Sequence, residues 1–221
     1  EPRVDPRLRA HTFCHVAPGL WYVMGVVLSA GGAFAWYRDQ CARELPEQTR
    51  DDTLVDEARA IPPGAGGVTF LPYLQGERTP HRNASLRAAF MGLSLAHSRA
   101  HMTRAVLEGV CFALRDSLEI LTSLGLAPRE LLLTGGGAKN AFIRHLQADV
   151  FGLPVTTVNR EEGGAYGAAL LAAVGAGAFP DLGAAVQRTL ERGSPTRPQT
   201  ATRDAYELAY KRYHSELKAS N

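Results

Sequence analysis

Hydrophobic and polar positions recur along this chain with two periods, one typical of strands and one typical of helices. Short runs rich in β-branched and aromatic residues predict strands at HTFCHV, LWYVMG, VTFLPYL and RAAFMGL. The first two flank an APG turn, which suits a hairpin. Helices are predicted over residues 26–43 and 53–60, and the second helix ends at an IPPG turn.

The longest predicted helix begins after Ser98, a good N-cap, and ends at Gly125. Its apolar positions recur every three to four residues, which predicts one buried face. That face consists of Met102, Val106, Val110, Leu114, Leu118 and Leu121. A later helix carries a comparable stripe, which we interpret as core packing, made of Tyr206, Tyr210, Tyr213 and Leu217.

Between these two helices the chain twice runs from a strand into a helix. The strand at residues 131–134 precedes a helix at 140–151 that Gly152 closes, and PVTTV precedes a helix at 164–174. Two such strands joined through a helix lie parallel, with a right-handed crossover. The sequence therefore predicts an α/β fold whose sheet is at least partly parallel.

Composition and charge exclude several classes of protein. The 221 residues are 45% hydrophobic and 21% charged, as in globular proteins. The net charge of +2 is spread without blocks, so we expect no nucleic-acid or membrane partner. The uncharged stretches 16–37 and 163–180 are interrupted by glycine and proline or dominated by alanine, unlike membrane spans. Three cysteines outside any CxxC pattern, and no signal peptide, favour a cytoplasmic location.

Three consecutive glycines follow the strand at residues 131–134, in LLLTGGGAKN. Ligands of parallel sheets bind where a strand turns into a helix, and free amides at the start of that helix favour polar groups. Gly135, Gly136 and Gly137 leave the main chain bare there, and Asn140 can hydrogen-bond a ligand. We predict a ligand site at this turn; the alternative is a tight turn in which glycine only relieves strain.

Known nucleotide-binding motifs exclude one type of nucleotide site but do not identify which nucleotide binds. A P-loop is excluded, because GxxxxGK[ST] occurs nowhere in the chain. Gly135-x-Gly137-x-x-Asn140 departs from the dinucleotide fingerprint only at its last position, and Glu161 or Glu162 would be the acid that binds ribose. The glycine-rich start of the next helix, GGAYG, predicts close packing against either an adenine ring or a sheet.

Two other groups of polar residues have ordinary interpretations. Histidines four residues apart occur twice, as His11 with His15 and His97 with His101. Neither pair has the glutamate of HExxH, so we interpret them as surface or capping residues. The loop QGERTPHRN, which contains Glu77, Arg78 and His81, is interpreted as a solvated turn between strands.

The chain resembles the FGGY family of carbohydrate kinases through a long pattern around the start of the longest helix. The pattern joins a small residue, an aromatic residue and Gly-Leu to a polar helix start and a final acid. Its members are Ala88, Phe90, Gly92, Leu93, His101, Met102, Ala105, Val106, Leu107 and Glu108. YLQGERTPH and RAVLEGV resemble the branch that phosphorylates D-xylulose. LTGGGAKN is similar to the adenosine motif of sugar kinases, actin and Hsp70-like ATPases.

The resemblance implies a fold, cofactors and a partner. It implies that residues 1–221 form a ribonuclease H-like domain of the actin/hexokinase/Hsp70 type, with a mixed sheet and flanking helices. This would be the C-terminal, nucleotide-side domain, which uses ATP and Mg²⁺. Its partner would be the protein's own N-terminal sugar-binding domain, absent from this chain, and the resemblance allows a homodimer. The resemblance also places the GERTPH loop near the cleft between the two domains, where a part in closure or phosphate contact is the alternative to a solvated turn. The cofactor-binding residues it implies are Gly31, Gly135, Gly136, Gly137 and Asn140.

The resemblance also implies which parts this chain lacks. In the family, the first strands and phosphate loop of this domain, the sugar pocket and the catalytic aspartate lie upstream. No residue here is nominated as catalytic or metal-binding. Because phosphoryl transfer depends on positioning, we expect the chain alone to be inactive and its upstream half to restore activity. Two alternatives stay open: a non-catalytic nucleotide-binding module, and an NAD-dependent oxidoreductase domain.

Overall fold

The computed structural model of the chain describes residues 2–159 and 163–220, which contain both strands and helices. The strands are β1 (His11–Cys14), β2 (Trp21–Met24), β3 (Thr69–Leu71), β4 (Ala89–Met91), β5 (Leu131–Leu133) and β6 (Val155–Thr157). The helices are α1 (Ala30–Cys41), α2 (Arg50–Arg59), α3 (Arg99–Ser123), α4 (Gly136–Lys139), α5 (Ala141–Phe151), α6 (Gly163–Gly175), α7 (Leu182–Thr189) and α8 (Arg203–Ala219). The predicted elements are therefore present, although α1 begins four residues after the predicted start at residue 26 and has Ser29 as its N-cap.

The strands of the described ranges pair in three two-stranded sheets. β1 and β2 form the predicted antiparallel hairpin, in which His11 lies opposite Met24. β3 and β4 are also antiparallel. β5 and β6 are parallel, with Leu131 opposite Val155, and α4 and α5 connect them. This pairing confirms the parallel arrangement that the order of strand and helix predicted.

Helix α3 is the element against which α1, α2, α5 and β3 pack. Its N-cap is Ser98, as predicted, and the amide of Ser98 donates to Nδ1 of His101 at 3.2 Å. Beyond its last residue the chain reverses at Gly125, whose φ of 79° lies in the left-handed region that favours glycine. Both ends of the longest helix were therefore predictable from local chemistry.

The apolar stripe predicted for α3 is buried less completely than expected. Val106 is 0% exposed. The other members keep intermediate exposure, namely Met102, Val110, Leu114, Leu118 and Leu121. The first half of α3 is instead buried around most of its circumference, since two hydrophobic clusters flank it. Part of the remaining stripe lines a cleft, described below.

The two hydrophobic clusters hold α3 between the remaining helices. One cluster joins α3 to α2, α5 and α8, and the other joins it to α1 and β3. Phe112 of α3 lies 5.6 Å, between ring centroids, from both Tyr210 and Tyr213 of α8. The four residues of the α8 stripe are all buried, which confirms that they form core packing.

A buried ion pair on α3 fixes the chain that follows α2. Nε of Arg104 donates to Glu108 at 2.6 Å, and the two side chains are only 4% and 2% exposed. Glu108 also accepts from the Gly64 amide at 3.0 Å, while Arg104 donates to the Ile61 carbonyl at 3.0 Å and to the Tyr206 hydroxyl at 2.5 Å. Burial raises the pKa of Glu108, and the contacts from Arg104 and Gly64 oppose that rise.

Two glycines in the region of the resemblance permit close backbone approach. A Cβ on Gly109 would lie 2.2 Å from the carbonyl oxygen of Phe70, which is rigid strand backbone. A Cβ on Gly92 would lie 2.6 Å from the Gly67 carbonyl oxygen, and Gly92 has a φ of +78°. The residues that carry the resemblance therefore form the junction of β3, β4 and α3.

Several apolar surfaces of the described chain are left uncovered. Helix α6 is rich in alanine and leucine but contains no buried residue. Leu132, in the middle of β5, is 47% exposed, although strands of parallel sheets are normally covered on both faces. The β1–β2 hairpin likewise exposes Phe13, Trp21 and Tyr22. These faces have the composition of a protein interior and the exposure of a surface.

We expect Gly109→Ala to destabilise the fold by about 3 kcal/mol, because the added methyl group overlaps a strand carbonyl that cannot move without breaking β3. Urea denaturation followed by circular dichroism measures this change. The matched control is Gly175→Ala, where a Cβ meets no atom within 4 Å. That variant should stay within about 1 kcal/mol of the unsubstituted chain. Equal unfolding midpoints for the two variants would contradict the close approach of α3 and β3.

Candidate functional site

The residues predicted to bind a ligand converge on one open cleft. It has a volume of about 600 Å³ and is lined by α1 and α2, by the glycine turn and α5, and by α3, which packs against both groups. Gly31, Gly136, Gly137 and Asn140 line the cleft, whereas Gly135 does not, although its neighbours Thr134 and Gly136 do. The volume lies within the roughly 300–1,000 Å³ typical of small-molecule sites.

The three glycines of the turn have different structural roles. Gly135 has φ 82° and ψ −169°, a conformation that essentially only glycine adopts. Gly136 and Gly137 begin α4, a four-residue helix that the sequence did not predict. A Cβ on Gly136 would meet no atom within 4 Å, and one on Gly137 would meet Ile143 at an ordinary 3.5 Å. The backbone conformation therefore explains why residue 135 is a glycine. At residue 136 no neighbouring atom of the chain would clash with a side chain, so packing within the chain does not explain the glycine there.

Asn140 is the N-cap of α5. Its Oδ1 accepts from the amide of Phe142 at 2.9 Å and from that of Ile143 at 3.4 Å. Two of the amides that we expected to be free at the start of this helix are therefore already paired within the chain. For Nδ2 of Asn140 the described residues offer no hydrogen-bond partner. This nitrogen is the donor that the side chain can offer to a ligand.

Helix α1 contributes a second part of the cleft wall. Ala30, Gly31, Phe34, Ala35 and Arg38 line it, at the three- and four-residue spacing of one helix face. A Cβ on Gly31 would meet no atom within 4 Å. Gly31 therefore leaves α1 bare at the cleft, as Gly136 does at the turn.

The interior of the cleft is mostly apolar, and its charged groups come from α1, α2 and α4. Cys111 of α3 is 3% exposed, and burial raises the pKa of its thiol to about 12, so it is uncharged. Arg38 donates to Asp39 at 2.7 Å and contacts Asp51 at 3.4 Å. Asp52 of α2 also lines the cleft. Sequence reasoning missed the α2 acids, because nothing in DDTLVDE distinguishes them from a solvated helix start.

The glycine-rich helix α6 does not contribute to the cleft. We expected Gly163, Gly164 and Gly167 to permit close packing, but a Cβ on any of them meets no atom within 4 Å of the described chain. That expectation is wrong for packing within the described residues, in which α6 packs against α7. Glu161 and Glu162, the proposed ribose-binding acids, lie outside the described residues.

The GERTPH loop is not the solvated turn that we expected. Glu77 is 3% exposed and Thr79 is 0% exposed. His81 is partly buried, its Nε2 lies 3.0 Å from the Tyr73 hydroxyl, and burial lowers the pKa of its ring. Arg78 is exposed. Polar side chains of this loop thus serve as internal hydrogen-bonding groups.

Three of these four histidines accept hydrogen bonds from nearby backbone amides, in line with the surface or capping roles that we expected. Nδ1 of His97 accepts from the Ser94 amide at 3.0 Å, as His101 does from Ser98. Nδ1 of His15 accepts from the Ala17 amide at 3.0 Å. Within residues 2–159 and 163–220 no cluster of three or more His, Cys, Asp or Glu side chains could hold a metal ion. None of the helices in those ranges has the length and apolar content to cross a membrane.

Relatives of this chain are found in sequence and in structure. The family described as "FGGY family of carbohydrate kinases, C-terminal domain" matches residues 1–176. A xylulose kinase of Staphylococcus epidermidis is 36% identical over 208 residues, which are 94% of this chain and 41% of that protein.

Two solved structures from Lactobacillus acidophilus are similar to the chain over nearly its whole length. A ligand-bound xylulose kinase gives a TM-score of 0.86 at 30% identity, covering 99% of this chain and 44% of that one. A gluconate kinase gives a TM-score of 0.85 at 31% identity, with the same coverage of both chains.

These matches confirm the expected fold class, an α/β ribonuclease H-like domain of the actin/hexokinase type. The chain belongs to the FGGY family of carbohydrate kinases and corresponds to its C-terminal domain. It spans less than half of the length of the relatives, 41% for the S. epidermidis protein.

We expect Asn140→Ala to lower the free energy of unfolding by about 1 kcal/mol, since the amides of Phe142 and Ile143 lose their acceptor. Asn140→Asp keeps an oxygen acceptor and should unfold close to the original urea concentration. Urea titration of the three chains measures both effects. Unchanged stability of Asn140→Ala would show that the cap contributes nothing. Because Asn140→Asp keeps the capping oxygen but replaces the Nδ2 donor with a charged carboxylate oxygen, it separates capping from donation to a ligand.

Proposed function

We propose that this chain is the nucleotide-side half of an ATP-dependent sugar kinase. Two facts support the proposal: membership of the FGGY family, and a cleft that stays open where Gly31 and Gly136 expose bare main chain. A turn built only for packing would be filled by neighbouring side chains. The open space beside both glycines is the observation that carries the proposal.

The lining of the cleft fits an adenosine group. A purine ring needs apolar surface and close approach, and Phe34, Val110 and Leu114 supply apolar surface. The bare backbone at Gly31 and Gly136 admits the edge of a ring, and Nδ2 of Asn140 can donate to a ring nitrogen or a ribose oxygen. The residues proposed to hold the nucleotide are Gly31, Gly136, Gly137 and Asn140. Gly135, the fifth residue predicted for this site, would contribute through the backbone conformation that it gives the turn.

When bound, ATP supplies the phosphoryl group that is transferred to a sugar hydroxyl. The role of this chain is to bind and orient the nucleotide and to exclude water from the apolar part of the cleft. Arg38 and Asp51 of the cleft are paired with each other, which makes them poor candidates for proton transfer to a substrate. We place the catalytic base and the sugar pocket in the N-terminal domain. Mg²⁺ would accompany the phosphate groups, since it prefers phosphate and carboxylate oxygens.

The N-terminal part of the protein also accounts for the uncovered apolar surfaces. Residues 1–221 would form the C-terminal domain without its first strands and phosphate loop. Strands supplied from upstream would pair with the free edges of the β1–β2 and β5–β6 sheets and cover Leu132 and α6. Pairing of these edges removes the hydrogen-bonding groups that would otherwise attract other chains.

The proposed acceptor is D-xylulose, which would be converted to D-xylulose 5-phosphate. The relatives from S. epidermidis and L. acidophilus that are named xylulose kinases support this choice. The gluconate kinase has almost the same TM-score, so similarity of this domain alone does not select the sugar.

Family membership leaves the NAD-dependent oxidoreductase alternative without support, whereas a non-catalytic nucleotide-binding module is an outcome of the tests below. The proposed location is the cytoplasm.

Calorimetry with ADP and with NAD tests the nucleotide site. We expect ADP to bind and NAD to give no heat of binding. Gly136→Leu should weaken ADP binding by at least about tenfold, because its side chain enters the space that the ring needs. The control is Gly175→Leu, which also meets open space but lies outside the cleft. Binding of NAD instead of ADP, or equal ADP affinity in both variants, would refute the nucleotide proposal.

Activity measurements test whether the protein is a kinase. We expect the isolated chain to show no turnover with D-xylulose and Mg-ATP, and the full-length protein to phosphorylate the sugar. Orienting the reactants can supply about 7–11 kcal/mol of such a barrier, and half of a site cannot do so. A full-length protein that binds ADP but phosphorylates neither D-xylulose, gluconate nor glycerol would be a non-catalytic module. Turnover by the isolated chain would contradict the assignment of the base to the missing domain.

A further inference from the structure

Glu77 is a buried carboxylate without a cationic partner among the described residues. Its Oε1 accepts from the Leu28 amide at 3.0 Å and from the Arg78 amide at 2.8 Å. Its Oε2 is buried and has no hydrogen-bond partner within residues 2–159 and 163–220. Burial raises the pKa of Glu77, and the two amides oppose that rise. Burying such a group costs free energy, which other interactions in the folded chain must offset.

Three hydrogen bonds join the loop to the segment in front of α1. Besides the bond from Leu28 to Glu77, the Val26 amide donates to Oγ1 of Thr79 at 2.9 Å. The Thr79 amide donates back to the Val26 carbonyl at 3.0 Å. Residues 77–79 are therefore hydrogen-bonded along residues 26–28, which lie about 50 positions away in sequence.

The segment held in this way runs directly into the cleft wall. Ser29, which follows Leu28, is the N-cap of α1. Gly31 and Phe34, in the first turns of that helix, line the cleft. A displacement of Leu28 would move the start of α1, because only one residue separates Leu28 from the helix. The position of Gly31 therefore depends on the anchor at Glu77.

We infer that Glu77 is a positioning residue for the nucleotide cleft: by holding Leu28 it keeps the first turn of α1 where Gly31 and Phe34 can contact the nucleotide. The inference rests on the proposed nucleotide site. It assigns no chemical step to Glu77, which does not line the cleft. It does assign a function to the GERTPH loop, whose Glu77 holds the segment that leads into α1.

The test uses the full-length protein that carries this chain, with Glu77→Ala and Glu77→Gln. Alanine removes the acceptor of both amides, whereas glutamine keeps one oxygen acceptor of the same reach. We expect Glu77→Ala to raise KM for ATP about tenfold while kcat and KM for the sugar change less than about twofold. Glu77→Gln should restore KM for ATP to within about twofold of the original value. If Glu77→Ala does not fold, the same measurements are made on Glu77→Asp, whose shorter side chain moves the acceptor oxygen away from the amides of Leu28 and Arg78.

Asp149→Ala is the matched control. Like Glu77, Asp149 holds a distant segment through its carboxylate, which accepts from the Gln199 amide at 2.7 Å and from the Thr202 hydroxyl at 2.9 Å. None of these three residues lines the cleft. This variant should leave KM for ATP unchanged. An unchanged KM for ATP in Glu77→Ala, or an equal rise in Asp149→Ala, would overturn the inference.

Hydrogen exchange separates failure of the inference from failure of the proposed function. In Glu77→Ala the amides of residues 26–34 should exchange faster, while those of α5 should not change. If the original protein neither binds ADP nor turns over, the proposed function fails regardless of this result. If the original protein binds ADP and residues 26–34 exchange at the original rate in Glu77→Ala, the positioning role is wrong.

Discussion

The buried ion pair of Arg104 and Glu108 is the interaction on which the arrangement of helices depends. It lies where α3 meets the turn after α2 and the start of α8, and Gly64 and Tyr206 both hydrogen-bond to it. Removing one partner of such a pair leaves an uncompensated buried charge, which typically costs about 3–5 kcal/mol. Because α2 is held through this turn and supplies Val55 to the cleft, the pair also fixes part of the cleft wall.

The sequence predicts elements better than it predicts what they bury. The hairpin, both ends of α3 and the α8 stripe follow from turn residues, caps and periodicity, all of which are local signals. Burial depends on which other segments pack against an element. The stripe of α3 is therefore only half-buried, and Glu77 and Thr79 are buried although their loop is polar. Their partners at residues 26–28 lie 49 and 53 positions away, a distance over which no local pattern operates.

The sequence predicts where the cleft lies, whereas the separate roles of its residues are seen only in the structure. The run of glycines after a buried strand indicates where the main chain must be bare. It does not indicate that Gly135 is required by its backbone conformation, that Gly136 borders open space, or that Asn140 caps α5. Those roles depend on backbone angles, and α4 interrupts the expected passage from strand to long helix. Gly31 on α1 was identified through the resemblance alone, because SAGG has no distinctive spacing.

The hydroxyl groups of Tyr73 and Tyr213 contact each other across 140 positions of sequence. During translation the ribosome adds Tyr213 140 residues after Tyr73, which takes about 7–28 s at about 5–20 residues per second. Phe112 is synthesised within that interval and, until α8 follows, lacks the rings of Tyr210 and Tyr213 that lie against it in the folded chain. The hydrophobic cluster around Phe112 is therefore completed only after α8 has been synthesised.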